Sequence, residues 1–132
     1  MRYLHTMIRV GNLEKSLKFY QEGLGFKLMR KNDYEKDRFT LAFLRAPGDS
    51  GDKPHDIPMI ELTFNWDTDH YERGNGYGHT AYRVDSIAEV QRKLKESGFD
   101  LSWGPGETPD GRRKMAFVDD PDGYEIELLE GE

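Results

Sequence analysis

The spacing of apolar positions changes along the chain, and each change marks an element. In residues 4–10, Leu4, Thr6, Ile8 and Val10 alternate with His5, Met7 and Arg9, the period of two expected of a strand with one buried face. From Asn12 the period lengthens. Leu13, Leu17 and Tyr20 recur at helical spacing behind a plausible N-cap, and Gly25-Phe26 ends the run. The same succession returns later. His79-Thr-Ala-Tyr-Arg-Val84 matches His5-Thr-Met-Ile-Arg-Val10 in four of six positions, at an offset of 74 residues. Ser86-Ile-Ala-Glu89 then forms a capping box, Ile87, Val90 and Leu94 form the apolar stripe, and Gly98-Phe99 closes it. Both halves end alike, on Ile60-Glu61-Leu62 and Ile126-Glu127-Leu128.

This repeat predicts an α+β chain, a single domain over 1–132 made of two βαβββ modules. The modules span 1–65 and 76–130, with 66–75 as linker. The intervening strands carry weaker patterns, at Phe39–Leu44 and Met115–Val118. Residues 45–58, with three Pro, two Gly and three Asp, read as a loop. The Gly/Pro-rich stretch 104–111 reads as a second loop, ending in the basic run Arg112-Arg113-Lys114. A module of about 60 residues is marginal alone, so the two are expected to pack on each other or on a second chain.

Composition sharpens this picture. Leu, Ile, Val and Phe make up only 28 of 132 residues, while 33% are charged and the net charge is −6. The chain therefore has little apolar material to bury. The acidic balance argues against a nucleic-acid partner. No apolar run approaches the ~18 residues of a membrane span, and the first residues lack a signal-peptide stretch. A cytoplasmic protein without a membrane partner is expected. The absence of cysteine excludes disulfides, thiolate zinc sites and thiol nucleophiles. Any bound metal must use nitrogen and oxygen ligands.

Each half has one His in its first strand and one Glu in its last. Alternation puts His5 on a face with Met7 and Arg9, and Glu61 with Met59, Thr63 and Asn65, opposite the apolar sets. His79 shares a face with Ala81 and Arg83, and Glu127 faces away from Ile126 and Leu128. A single polar residue on a wet strand face needs no function. Recurrence at equivalent places in both halves gives the four residues a common meaning, because pseudo-symmetry would bring two imidazoles and two carboxylates together. That set suits a divalent metal with room for water. Other candidates are weaker. His55 and His70 sit in polar surroundings and are expected to be exposed, and Trp66 and Trp103 read as packing or loop residues. The Asp119-Asp120-Pro-Asp122-Gly cluster lacks the spacing of a calcium loop and reads as a turn.

The segments His5-Thr-Met-Ile-Arg-Val-Gly-Asn-Leu, Glu61-Leu-Thr-Phe-Asn-Trp66, Tyr77-Gly-His-Thr-Ala and Asp120-Pro-Asp-Gly-Tyr-Glu-Ile-Glu127-Leu strongly resemble the glyoxalase I family of the vicinal-oxygen-chelate superfamily. The likeness runs in order along nearly the whole chain. It implies strongly curved mixed sheets and a homodimer with its sites between subunits. His5 and Glu61 from one chain would join His79 and Glu127 from the other on one divalent metal. The compact form points to Ni2+ or Co2+, with Zn2+ also compatible. The implied substrate is the hemithioacetal of methylglyoxal and glutathione, converted to S-D-lactoylglutathione, with Glu127 as principal base and Glu61 as second carboxylate. Arg9 and Asn65 match residues that hold the thiol. Two positions depart from the eukaryotic members: Asn75 replaces an arginine, with Arg73 nearby, and the basic loop residue is unaligned, leaving Arg112, Arg113 or Lys114 to serve, of which Arg113 is taken here. Related alternatives are an acyl-thioester epimerase, a thiol transferase, or a glyoxalase using another low-molecular-weight thiol.

Overall fold

A computed structural model describes residues 1–131. The first half runs β1 (His5–Arg9), α1 (Leu13–Lys18), a π-turn (Phe19–Gly23), β2 (Lys27–Tyr34), β3 (Phe39–Arg45), a 3-10 turn (Pro54–Asp56) and β4 (Met59–Asn65). The second runs β5 (His79–Val84), α2 (Ile87–Glu96), β6 (Trp103–Glu107), β7 (Lys114–Asp119) and β8 (Glu125–Glu130). The strands form two four-stranded mixed sheets of order β1-β4-β3-β2 and β5-β8-β7-β6. In each, the first and last strands of the half pair in parallel and the rest pair antiparallel. The strong curvature expected of these sheets is not observed. Twist accumulates with each strand-to-strand step, and an open sheet of four strands has only three such steps.

The expected caps are present. Asn12 accepts from the Lys15 amide at 3.0 Å and Ser86 from the Glu89 amide at 3.2 Å. Gly25 and Gly98 take the positive φ that ends their runs, at 76° and 88°. The first helix differs from the simple pattern. It is α-helical only to Lys18 and then widens into the π-turn, which directs the consecutive rings of Phe19 and Tyr20 into the second half. Phe19 meets Phe99 edge-on, with centroids 5.1 Å apart, and Tyr20 reaches Asp120. Gly23 leaves room for Leu94, since a Cβ there would lie 3.1 Å from its Cδ2. Phe26 packs on Tyr82. Ile8, Val10, Leu44, Leu62, Leu94, Val118, Ile126 and Leu128 complete one core shared by both halves.

Two strands lie where the pattern gave no clear strand. β2 is exposed at nearly every position, so no alternation marks it. β6 occupies the start of the stretch read as a loop at 104–111. It is an edge strand, where proline and glycine are tolerated because one side has no ladder to complete, and the Trp103 ring covers Gly106.

Candidate metal centre

Parallel pairing of β1 with β4 puts Glu61 opposite Met7, one turn of the pleat from His5. Pairing of β5 with β8 puts Glu127 opposite Ala81, equally placed from His79. Side chains of like parity share a face, so each His lies beside its Glu. His5 Nε2 is 3.7 Å from Glu61 Oε1, and His79 Nε2 is 3.8 Å from Glu127 Oε2. Both carboxylates are half-buried and both imidazoles more open.

The equivalence extends across each sheet. Phe43 pairs with Glu61 and Phe117 with Glu127. His5 meets the Phe43 ring edge-on and His79 meets Phe117 likewise, each with centroids 5.6 Å apart. Each imidazole is thus braced against a ring on the neighbouring sheet positions. On the far side, Arg30 lies over Phe43 at 4.1 Å, and Trp103 packs against Phe117 at 6.1 Å. The row Arg30-Phe43-Glu61-Met7 therefore corresponds to Trp103-Phe117-Glu127-Ala81. These phenylalanines were not singled out from the sequence. They stand at the same 74-residue offset as the two histidines, and that offset is the signal that finds them.

The four residues do not gather within one chain. Among the described residues, no group of three or more His, Asp or Glu is arranged to hold a metal. The chain holds two separate pairs instead. The geometry of each pair fits a shared ion. Two donors each about 2.1 Å from one ion lie no more than about 4.2 Å apart, and both pairs fall inside that limit. Imidazole nitrogen with carboxylate oxygen also suits a divalent transition metal. The face carrying the pairs is open. A cavity of about 740 Å³ lies elsewhere, between the two halves, and is lined by residues such as Phe26, Tyr82, Val90 and Lys93.

Arg9 is exposed on the His5 side of β1, and its carbonyl accepts from the Tyr124 hydroxyl at 2.9 Å. Asn65 donates through Nδ2 to the Tyr71 hydroxyl at 2.9 Å. Arg113 is exposed in the turn before β7, where its amide donates to Thr108 Oγ1 and its carbonyl accepts from the Thr108 amide. Arg73 is exposed but is tied to the turn before β8. It donates to the Gly123 carbonyl at 2.7 Å and lies over the Tyr124 ring. His55 and His70 are exposed, and Trp66 donates to Thr40 Oγ1 in a packing role. The aspartate cluster is a turn: Asp120 Oδ1 accepts from the amides of Asp122 and Tyr124. Tyr20 donates to Asp120 Oδ2 at 2.9 Å, and burial beside that carboxylate pushes the Tyr20 phenol well above its ordinary pKa.

A model of the Glyoxalase/Bleomycin resistance protein/Dioxygenase superfamily matches residues 2–128. The chain belongs to this superfamily. Within it, a lactoylglutathione lyase from Neisseria meningitidis is 50% identical over 130 residues, covering 98% of this chain and 91% of that protein. The lactoylglutathione lyase of Escherichia coli O157:H7 is 42% identical, covering 98% and 93%. Among solved structures, glyoxalase I from Zea mays superposes with a TM-score of 0.88 at 36% identity over 98% of this chain, which spans only 44% of the maize chain. The trypanothione-dependent glyoxalase I of Leishmania major superposes at 0.76 with 41% identity, covering 98% of this chain and 86% of that one.

Proposed function

We propose that the chain is a glyoxalase I, a lactoylglutathione lyase that isomerises the hemithioacetal of methylglyoxal and glutathione to S-D-lactoylglutathione. The observation that carries this reading is the duplicated His–Glu pair, each braced on a phenylalanine at the repeat offset, in a chain similar over its length to lactoylglutathione lyases. His5, Glu61, His79 and Glu127 are the proposed metal ligands. One chain offers them as two pairs, so two chains are needed to complete a four-ligand set. The length of the maize chain, about twice this one, supports a homodimer with its sites between subunits. Each chain is then one domain of two modules, 1–65 and 76–130, joined by 66–75, and works in the cytoplasm. Ni2+ or Co2+ is the favoured ion, with Zn2+ also compatible.

The reaction moves one proton between adjacent carbons. It leaves the carbon bearing sulfur and hydroxyl and returns to the neighbouring carbonyl carbon, while the hydroxyl-bearing carbon becomes the thioester carbonyl. When bound, the divalent cation supplies Lewis-acid stabilisation of the negative charge developing on the substrate oxygens. Glu127 is the base that removes and returns the proton, and Glu61 is the equivalent carboxylate on the other wall. Arg9 and Asn65 end their strands on the same side as His5 and Glu61, which suits them to the carboxylate and amide groups of a peptidic thiol, with Arg113 reaching in from the turn.

The test is reconstitution. Metal-free protein is loaded separately with nickel, cobalt, zinc and manganese and assayed for thioester formation. Activity with nickel or cobalt supports the reading, and no thioester with any of the four metals overturns it. The likeness to a trypanothione-dependent enzyme favours running the assay with more than one thiol. Faster turnover with another thiol than with glutathione replaces the substrate but keeps the chemistry.

A further inference from the structure

The turn between β7 and β8 reaches out of the second sheet and holds the end of β1 in the first. Tyr124 donates to the Arg9 carbonyl at 2.9 Å, and the Gly11 amide donates to Asp122 Oδ1, also at 2.9 Å. These bonds fall on either side of Val10, which is fully buried and donates to the Thr63 carbonyl. Ser16 Oγ, at 3.5 Å from Asp122 Oδ2, adds a weaker tie to α1. β1 is an edge strand, bonded in its sheet to β4 alone, so the turn supplies partners that a neighbouring strand would otherwise provide. Tyr124 is itself fixed. Tyr77 packs edge-on against its ring at 5.1 Å, and Arg73 lies over it while donating to the adjacent Gly123 carbonyl.

We infer that Tyr124 and Asp122 are positioning residues for the thiol arm of the substrate. By pinning the main chain on both sides of Val10 from the opposite half, they set the direction in which the Arg9 guanidinium leaves β1. The inference rests on the proposed isomerase activity and on Arg9 as a thiol contact. Neither positioning residue is part of a His–Glu pair, so their loss weakens substrate binding equally in the ground and transition states. Such a loss raises KM and spares kcat.

Steady-state kinetics of metal-loaded Tyr124→Phe, Asp122→Ala, Asp122→Asn and Arg9→Gln test this. Tyr124→Phe keeps the ring and its packing and removes one hydrogen bond. KM for the hemithioacetal should rise about five-fold, the equivalent of one neutral hydrogen bond of about 1 kcal/mol, with kcat within about two-fold of wild type. Asp122→Ala should behave likewise. Asp122→Asn keeps an acceptor for the Gly11 amide and should restore the wild-type KM. Arg9→Gln should raise KM further, and adding Tyr124→Phe to it should change nothing more. A lowered melting temperature with unchanged KM overturns the inference, as do equal falls in kcat and kcat/KM. An unchanged KM in Arg9→Gln overturns it while leaving the isomerase reading intact. Inactive wild-type protein overturns that reading itself.

Discussion

Among the described residues, Asp120 is the deepest carboxylate, with 4% of its surface exposed. Burial pushes its pKa up to about 6 from an ordinary 3.8. Hydrogen bonds from the Tyr124 amide, the Tyr20 hydroxyl and the Asp122 amide pull it back only in part, and the charge of Asp122 adds to the rise. In the unfolded chain the group ionises near its ordinary value. Between about pH 4 and pH 6 the folded protein therefore holds a proton that the unfolded chain has released. Stability from this group is fully present below the unfolded pKa and is lost as pH rises through the folded one. The gap amounts to about 3 kcal/mol. Asp120→Asn removes the charge and keeps Oδ1 as acceptor for both amides. The Tyr20 hydroxyl can rotate to accept from the new amide. The variant should match wild type near pH 4 and exceed it by about 3 kcal/mol above pH 7, or about 10 °C in Tm for a chain of this size. Urea and thermal unfolding from pH 4 to 8, with chelator present, measure the difference. Asp67 beside Arg38, Asp100 and Asp110 are held low by their hydrogen bonds. They act in the opposite sense in both proteins and cancel. A constant difference across the whole range, or a variant less stable at pH 7.5, would falsify the claim that burying this charge is what costs stability.

Gly11→Ala should destabilise by about 3 kcal/mol, because its Cβ would lie 2.2 Å from the Asp69 carbonyl oxygen and 2.8 Å from the attached carbon, both rigid backbone. Denaturant melts check this, and a loss under about 0.5 kcal/mol would show that the linker yields there. Glu127→Gln should cut turnover by at least about 100-fold, whereas His55→Ala, at an exposed position outside the pairs, should leave it within about two-fold; equal losses would mean that the site is misassigned. If two chains complete each metal site, nickel affinity measured by competition should fall on dilution as dimers separate. An affinity independent of protein concentration down to the monomer would refute the shared site.

How much of this was legible in the sequence depends on which face an element buries. β1 and β5 bury one face each, so their alternation was plain, and with it the side on which His5 and His79 stand. β2 buries almost nothing and left no periodic trace. β6 is built of residues that normally interrupt strands and survives only because it lies at an edge. The π-turn is invisible to a helical template because it shifts the period for a single turn, yet it is what sends Phe19 and Tyr20 together into the second half. The Asp-Pro-Asp-Gly-Tyr segment announced a turn through local chemistry. Its longest-range bonds, from Gly11 to Asp122 and from Tyr124 to Arg9, join residues more than 100 positions apart and leave no local signature.

The scarcity of apolar residues and the incompleteness of the site in one chain share a physical origin. Both sheets bury their apolar faces in a single core against the helices and the π-turn, so the opposite faces are left over from folding. Those faces carry His5, Arg9, Glu61 and Asn65 in one half and His79 and Glu127 in the other, with Phe43 and Phe117 bracing the imidazoles. A polar sheet face does not add to the core, and one His–Glu pair is a weak metal holder. Both deficits would be remedied by the dimer proposed above, in which a first-half face would meet a second-half face from another chain, complete the ligand set and cover the open sheets. The joint at Asp120, Asp122 and Tyr124 then has a second consequence. It ties the end of β1 to the second half of the same chain, and in a dimer those halves would serve different sites, so the hydrogen bonds proposed to orient Arg9 act on one site while Glu127 at the other is placed by its own pairing of β8 with β5.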